Sequence, residues 1–385
     1  MSDDISCITS APAAVDDVLV RLAAAAGSAG YDALVALSPE NVAYCSGVVV
    51  PSQSLMRWRH AATLVGADGT QAMLCVDMEE STVRAARPDI ELRVWQEFAG
   101  NAMAVLADLL SDMHLASGRV GLELSYLSVR DFAELKRLLP DSAFGPADDI
   151  FTRCRRLKTD AEVERIARLS RIADGAIGAA CANVRAADTE LDLAAEMTRV
   201  VYEGGAQQFK LMIVATGERS QLPNVGPTSR RLVPGDVCRL EIFAVADGYH
   251  AGVCRTAVVG EPSADAMRIY RNLADARTVV LDALRPGVAA AEVYRRFREC
   301  FDVLGLAPIS FVGHGIGLDL HEPPYLGDFD PSELEAGVTL GIEPLVYRTP
   351  YGFGMQIKDM VTVGHTAARL LSDVTATEQL LKIEA

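Results

Sequence analysis

The segment 240–260, LEIFAVADGYHAGVCRTAVVG, constrains this chain most, because two apolar runs meet at Asp247–Gly248. An Asp-Gly pair between such runs is a turn signal, so the second run folds back beside the first. Alternation across Leu240, Glu241, Ile242 and Phe243 sets Glu241 on the face opposite Leu240 and Ile242. The hairpin brings Glu241 near residues 252–254. A carboxylate in so apolar a setting is paired, solvated or chemically employed.

Upstream, DDVLVRLAAAAGSAGYDALVALS at 16–38 reads as a helix, a glycine turn and a short buried strand. Strands are expected at 61–69, 72–77 and 91–95, followed by an alanine- and leucine-rich helix. GRVGLELS at 118–125 reads as a strand feeding a helix around 128–139. This alternation predicts an α/β domain. Thr159 and Glu162 then form a capping box, and Val163, Ile166, Ala167, Ser170 and Ala173 fall along one face of the helix that follows. The boundary is expected between about 148 and 160, giving domains 1–152 and 153–385. The second reads as α+β, with helices at 189–203, 262–284 and 289–304 and strands at 211–216, 236–247 and 253–260. Further strands are expected around 338–346 and 355–363, and RPG at 285–287 breaks a helix.

A chain of 385 residues, 50% hydrophobic and 23% charged, is long and apolar enough for two cores. Its net charge of −16 argues against broad attraction to nucleic acid or to an anionic membrane. No apolar stretch approaches a transmembrane span. MSDDISCITS at 1–10 lacks the basic and apolar regions of a secretory leader. Eight cysteines without a CxxC pair read as reduced thiols, and a cytoplasmic location is expected.

Three later pieces complete a constellation: GHGIGLDLHEPP at 313–324, GIEP at 341–344 and QIKDM at 356–360. With these in order after the 240–260 segment, the chain resembles the pita-bread hydrolases, the family of methionine and proline aminopeptidases, prolidase and creatinase. The resemblance implies a creatinase-like amino-terminal α/β domain followed by a pita-bread catalytic domain. Metal-dependent members resemble one another in a five-ligand scheme of two aspartates, one histidine and two glutamates around two metal ions. Carried onto this chain, those positions are Glu241, Gly252, His314, Glu343 and Lys358. Glycine has no side-chain donor, and a protonated lysine repels cations. The resemblance therefore leans to the creatinase and ectoine hydrolase branch, and implies neither metal nor cofactor.

On that resemblance the catalytic candidates are Glu241, His314 and Glu343. Glu241 would act as nucleophile or general base, Glu343 would orient a substrate nitrogen or relay a proton, and His314 would polarise or transfer one. Lys358 would pair with a carboxylate or bind substrate, and His321 would orient substrate from the following loop. Asn224 lies in ERSQLPNVGPT, where metallopeptidases place a histidine, and reads as a substrate-orienting amide. Cys254 would bring a thiol into the pocket. Arg57 or Arg59 in RWRH would grip a substrate carboxylate through a guanidinium fork, from a segment that helps close the neighbouring site in creatinase-like homodimers.

The expectation is a cytoplasmic, homodimeric, metal-independent hydrolase cleaving a nonpeptide carbon–nitrogen bond in a small amide, cyclic amidine or guanidino metabolite. A mono-metal hydrolase or aminopeptidase is the nearest alternative. A catalytically inactive ligand-binding or structural protein is the other.

Overall fold

The computed structural model describes residues 12–385 apart from 306 and 308; residues 1–10, on which the leader expectation rests, lie outside the described residues. The chain divides into two compact units, Met1–Arg155 and Arg156–Ala385.

In the first unit, short apolar runs become the strands β1 (Ala33–Ala36), β2 (Ala62–Gly66), β3 (Gln71–Val76), β4 (Glu91–Trp95), β5 (Arg119–Leu122) and β6 (Ala143–Pro146). They form one mixed sheet in the order β4-β3-β2-β1-β5-β6. Leu64, Leu74, Leu106, Leu110, Val120 and Leu122 belong to its buried core. The strand expected over 61–69 stops at Gly66, because Asp68 turns the chain and Gly69 takes a left-handed φ of 86°. Helices Pro39–Ser46 and Pro51–Leu55 went unread in the sequence; each has proline in its first turn, where a missing N–H costs nothing.

The second unit starts on the expected capping box. Thr159 N donates to Glu162 Oε2 at 2.7 Å and Glu162 N to Thr159 Oγ1 at 3.3 Å. All five residues of the predicted apolar face are buried. Helices Asp160–Asn183 and Glu190–Glu203 pack on a sheet formed by β7 (Gln208–Thr216), β8 (Val237–Ala246) and β9 (Tyr249–Val259). Later strands are β10 (Gly313–Gly315), β11 (Glu322–Tyr325), β12 (Thr339–Ile342), β13 (Leu345–Val346), β14 (Met355–Gln356), β15 (Asp359–Val363), β16 (Ala368–Leu370) and β17 (Leu381–Ile383). One sheet runs β17-β9-β8-β7, a second β11-β10-β12-β15-β16, and β13 pairs with β14. Helices Ala264–Ala283 and Ala290–Leu304 bury Leu273, Val280, Phe297 and Phe301 in one cluster with Leu340, Ile342 and Val361 of the second sheet.

Two features position the site. Asp247 and Gly248 take φ of 51° and 80°, a tight two-residue turn that fixes the β8–β9 register with Glu241 opposite Cys254 and Phe243 opposite Gly252. The strands expected over 338–346 and 355–363 are each interrupted, the first at Glu343–Pro344 and the second at Ile357–Lys358. Pro344 has no N–H to give a ladder. Lys358 leaves its own sheet to bridge to β9, with Lys358 N to Cys254 O at 3.0 Å and Cys254 N to Lys358 O at 3.2 Å.

Beneath that bridge lies a buried ionic cluster. Arg255 Nη2 sits 3.1 Å from Asp174 and 2.9 Å from Asp359, with all three side chains fully buried. These are charge contacts rather than well-angled hydrogen bonds. Asp359 also pairs with Arg277 and accepts from Ser372. Burial would raise the Asp359 carboxyl, but Arg255 and Arg277 outweigh it and hold it below the usual range. Replacing Arg255 with Met should leave two buried carboxylates short of their cation and cost about 3–5 kcal/mol, measured by urea unfolding. A loss below about 1 kcal/mol, the range of an exposed pair, would show the cluster to be dispensable.

Candidate active site

One face of the β8–β9 hairpin carries Arg239, Glu241 and Phe243 opposite Thr256, Cys254 and Gly252. His314 enters from β10, Glu343 from the break after β12, and Lys358 from the break before β15. The Lys358 ammonium is where they meet. Its Nζ lies 3.2 Å from Glu343 Oε2, 3.3 Å from Glu241 Oε1 and 3.2 Å from His314 Nε2. An ammonium has three hydrogens to donate, and three acceptors surround this one.

His314 Nδ1 lies 2.8 Å from the carbonyl of Gly315. A carbonyl accepts, so Nδ1 carries the proton and Nε2 offers its lone pair to Lys358. Burial first, then Lys358 and His321, hold the imidazole pKa well below its usual value, so it is neutral. The 3.5 Å approach of His314 Nε2 to Glu343 is therefore not an ion pair. Burial pushes the Glu343 carboxyl up, and Lys358 pulls it back in part. For Lys358, burial would lower the pKa, but Glu343 and Glu241 outweigh it and leave the ammonium charged.

Sequence reasoning missed the next layer. Gln356 donates to Glu343 Oε2 at 3.1 Å and accepts from Arg239 Nη1 at 3.0 Å. Arg239 holds the carbonyls of Leu222 and Pro223 and stacks over Tyr347 at 5.3 Å. Phe243 was also overlooked, although its place two residues beyond Glu241 put it on the same face. Lys158 and Glu322 form a buried pair at 3.2 Å, and Glu322 also accepts from Asp319 N, which fastens the loop carrying His321.

The other expected residues fall into place unequally. His321 stacks on His314 with ring centroids 3.8 Å apart, and burial followed by Lys358 lowers its pKa. Asn224 is exposed on the loop that Arg239 anchors through the two preceding carbonyls. Cys254 needs correction as a pocket thiol: it is fully buried, and burial, then Glu241, pushes its pKa well above the ordinary range. It packs beside Glu241 as an inert thiol. In the first unit, Arg57 donates to the carbonyl of Tyr126, and one guanidinium edge of Arg59 is taken by Glu97, with Nε donating at 2.6 Å and Nη2 at 2.9 Å. The fork expected to grip a substrate carboxylate thus has an internal partner.

The five-ligand scheme can be tested against these side chains. Gly252 offers no donor, and a Cβ there would lie less than 3.0 Å from Phe243 Cε1, Cδ1 and Cζ. The Lys358 ammonium occupies the space among Glu241, His314 and Glu343, where a metal would need donors at about 2.0–2.2 Å. Among the described residues, no group of three or more His, Cys, Asp or Glu could hold a metal ion. As arranged, the residues do not fit a metal pair.

Comparison with known proteins identifies the lineage. Residues 164–365 match metallopeptidase family M24, and residues 19–157 match the creatinase/prolidase N-terminal domain. An Xaa-Pro dipeptidase of Pyrococcus furiosus is 32% identical over 67% of this chain and 73% of its own. A probable dipeptidase PepE of Mycobacterium tuberculosis is 28% identical over 91% and 92%. The crystal structure of dipeptidase PepE from Mycobacterium ulcerans superposes with a TM-score of 0.81 at 27% identity, covering 97% of this chain and 99% of that one. The two-domain architecture implied by the sequence motifs is borne out. The placement in a creatinase and ectoine hydrolase branch is not, and the expected metal-independent cleavage of a nonpeptide bond is overturned, because these relatives are named as dipeptidases and the matching family as metallopeptidases. This chain belongs to metallopeptidase family M24, with the N-terminal domain of creatinases and prolidases ahead of its catalytic domain.

Proposed function

We propose that this chain hydrolyses short peptides, with Xaa-Pro dipeptides as its substrate class. The observation that carries the reading is the convergence of Glu241, Glu343 and His314 within 3.3 Å of one buried ammonium. That cluster stands on a chain alignable over 97% of its length with a dipeptidase. A cleft of about 290 Å³, which includes Tyr347 and Pro223 in its lining, adjoins Arg239 and offers room for a substrate side chain.

No step is routed through a metal, because positions 252 and 358 do not supply donors for one. Glu343 Oε2 already accepts from both Gln356 and Lys358, which suits it to orient rather than to exchange protons. Glu241 is engaged through Oε1, and its Oε2 accepts no hydrogen bond among the described residues. That oxygen is the one we assign to take a proton from the attacking water as a bond forms to the scissile carbonyl carbon. The proton held on Glu241 then passes to the leaving nitrogen as the carbon–nitrogen bond breaks, and exposed, neutral His321 is assigned as its relay, accepting at one ring nitrogen while donating from the other.

Purified protein incubated with Leu-Pro and Ala-Pro, in parallel with EDTA and with added Mn2+, should release free proline in at least one condition. Glu241→Gln should lower kcat by roughly 10²–10⁴ while the fold persists. Absence of proline release from every dipeptide in both conditions would overturn the peptidase reading.

The charge arrangement makes a separate prediction. The raised Lys358 pKa means the ammonium contributes fully at neutral pH, and its stabilisation is lost only above the ordinary lysine value of about 10.4. The raised Glu343 pKa has the same sign in a lower window, favouring the folded state below about 4.3 and losing that contribution as pH climbs through the folded value. Lys358→Met removes the cation and leaves both carboxylates buried. Its penalty should be about 3–5 kcal/mol at pH 8 and smaller at pH 5, where protonation relieves them. Equal penalties in urea unfolding at both pH values would reject this assignment of charge.

A further inference from the structure

Two exchanged positions, 252 and 358, lie far apart in sequence, and a third residue connects them. Phe243 is directly opposite Gly252 in the hairpin and is 1% exposed. Its ring fills the volume that any side chain at 252 would enter, since a Cβ there would lie under 3.0 Å from three ring atoms. The ring of Phe243 also receives the Lys358 ammonium at 4.6 Å from its centroid. The lysine stem also passes close to Gly341, where a Cβ would come within 3.1 Å of Lys358 Cε.

The lysine thus has a glycine beside its stem and an aromatic ring at its head, and that head also reaches two carboxylates and an imidazole. A cation with desolvated aromatic contact is attracted by the negative ring face, an effect that apolar bulk alone does not supply. We propose that Phe243 is a positioning residue: its ring, seated in the space left by Gly252, fixes the Lys358 ammonium against Glu241, Glu343 and His314. A side chain at 252 and a ring at 243 exclude one another, so the loss of a donor at 252 and the presence of a lysine at 358 are two parts of one arrangement. Gly341 completes it by giving the stem room. The inference concerns the internal geometry of the pocket and stands whether or not Xaa-Pro dipeptides are the substrate.

The test is a double-mutant cycle read by urea unfolding at pH 7, with Phe243→Leu, Lys358→Met and the pair. A ring that acts on the ammonium makes Phe243→Leu more costly in the wild-type background than beside Met at 358. The difference should be roughly tenfold to thirtyfold in the unfolding equilibrium constant. Phe243→Tyr, which keeps the ring face, should retain the coupling. Equal cost in both backgrounds means simple packing and overturns the proposal.

A spectroscopic measurement covers the case in which Lys358→Met does not fold. The chain contains five lysines, so selective labelling of lysine ε-carbons gives an assignable spectrum. The ε-protons of Lys358 should lie upfield of the others through ring-current shielding. They should return toward the common position in Phe243→Leu and stay shielded in Phe243→Tyr. A Lys358 signal that does not move in Phe243→Leu would overturn the assignment without reference to any enzyme activity.

Discussion

A buried ammonium needs acceptors on every side, and the core of the second unit is arranged to meet that need. Lys358 is 1% exposed, and a charge so far from water is tolerable only where opposite charge and lone pairs replace its hydration. The acceptors come from separate places: Glu241 from β8, His314 from β10 and Glu343 from the gap after β12. An unbroken ladder through 343 and 358 would keep both backbones committed to their own sheet. The two interruptions free those residues to face the hairpin, and the bridge from Lys358 to Cys254 then locks the second of them in place.

The reverse side of this bridge is equally charged. Lys358 and Asp359 are neighbours, so one side chain enters the pocket and the other enters the cluster of Arg255, Asp174 and Arg277. Arg255 joins the layers, because its Nη1 donates to the Lys358 carbonyl at 2.7 Å and the Cys254 carbonyl at 3.0 Å. The backbone that aims the lysine is held by a guanidinium whose own charge is balanced elsewhere. Electrostatic balance and backbone placement are therefore supplied by the same residue.

Local chemistry was legible in the sequence, and long-range partnership was not. The Thr159–Glu162 cap and the Asp247–Gly248 turn depend on residues a few positions apart, and both form as expected. The turn even contains the pairing of Phe243 with Gly252, once the register is counted out from Ala246 opposite Tyr249. By contrast, Arg239 and Gln356 are 117 positions apart, and Lys158 and Glu322 are separated by 164, distances at which no periodicity carries a signal. Strand interruptions at Glu343 and Lys358 were missed because apolar runs on both sides hide a change of partner. The choice of branch failed for another reason: altered residues at 252 and 358 reveal an altered pocket, but the lineage is carried by similarity spread over 91% of the chain.

The mutual exclusion at 243 and 252 bears on the routes by which such a pocket can change. Restoring an acidic residue at 252 alone would place it where a ring already sits, and removing the ring alone would leave a void beside a cation stripped of its aromatic contact. Each single step away from the present arrangement is penalised before the next can compensate. The hairpin therefore works as a ratchet: its amino acids can leave this state together far more readily than one at a time.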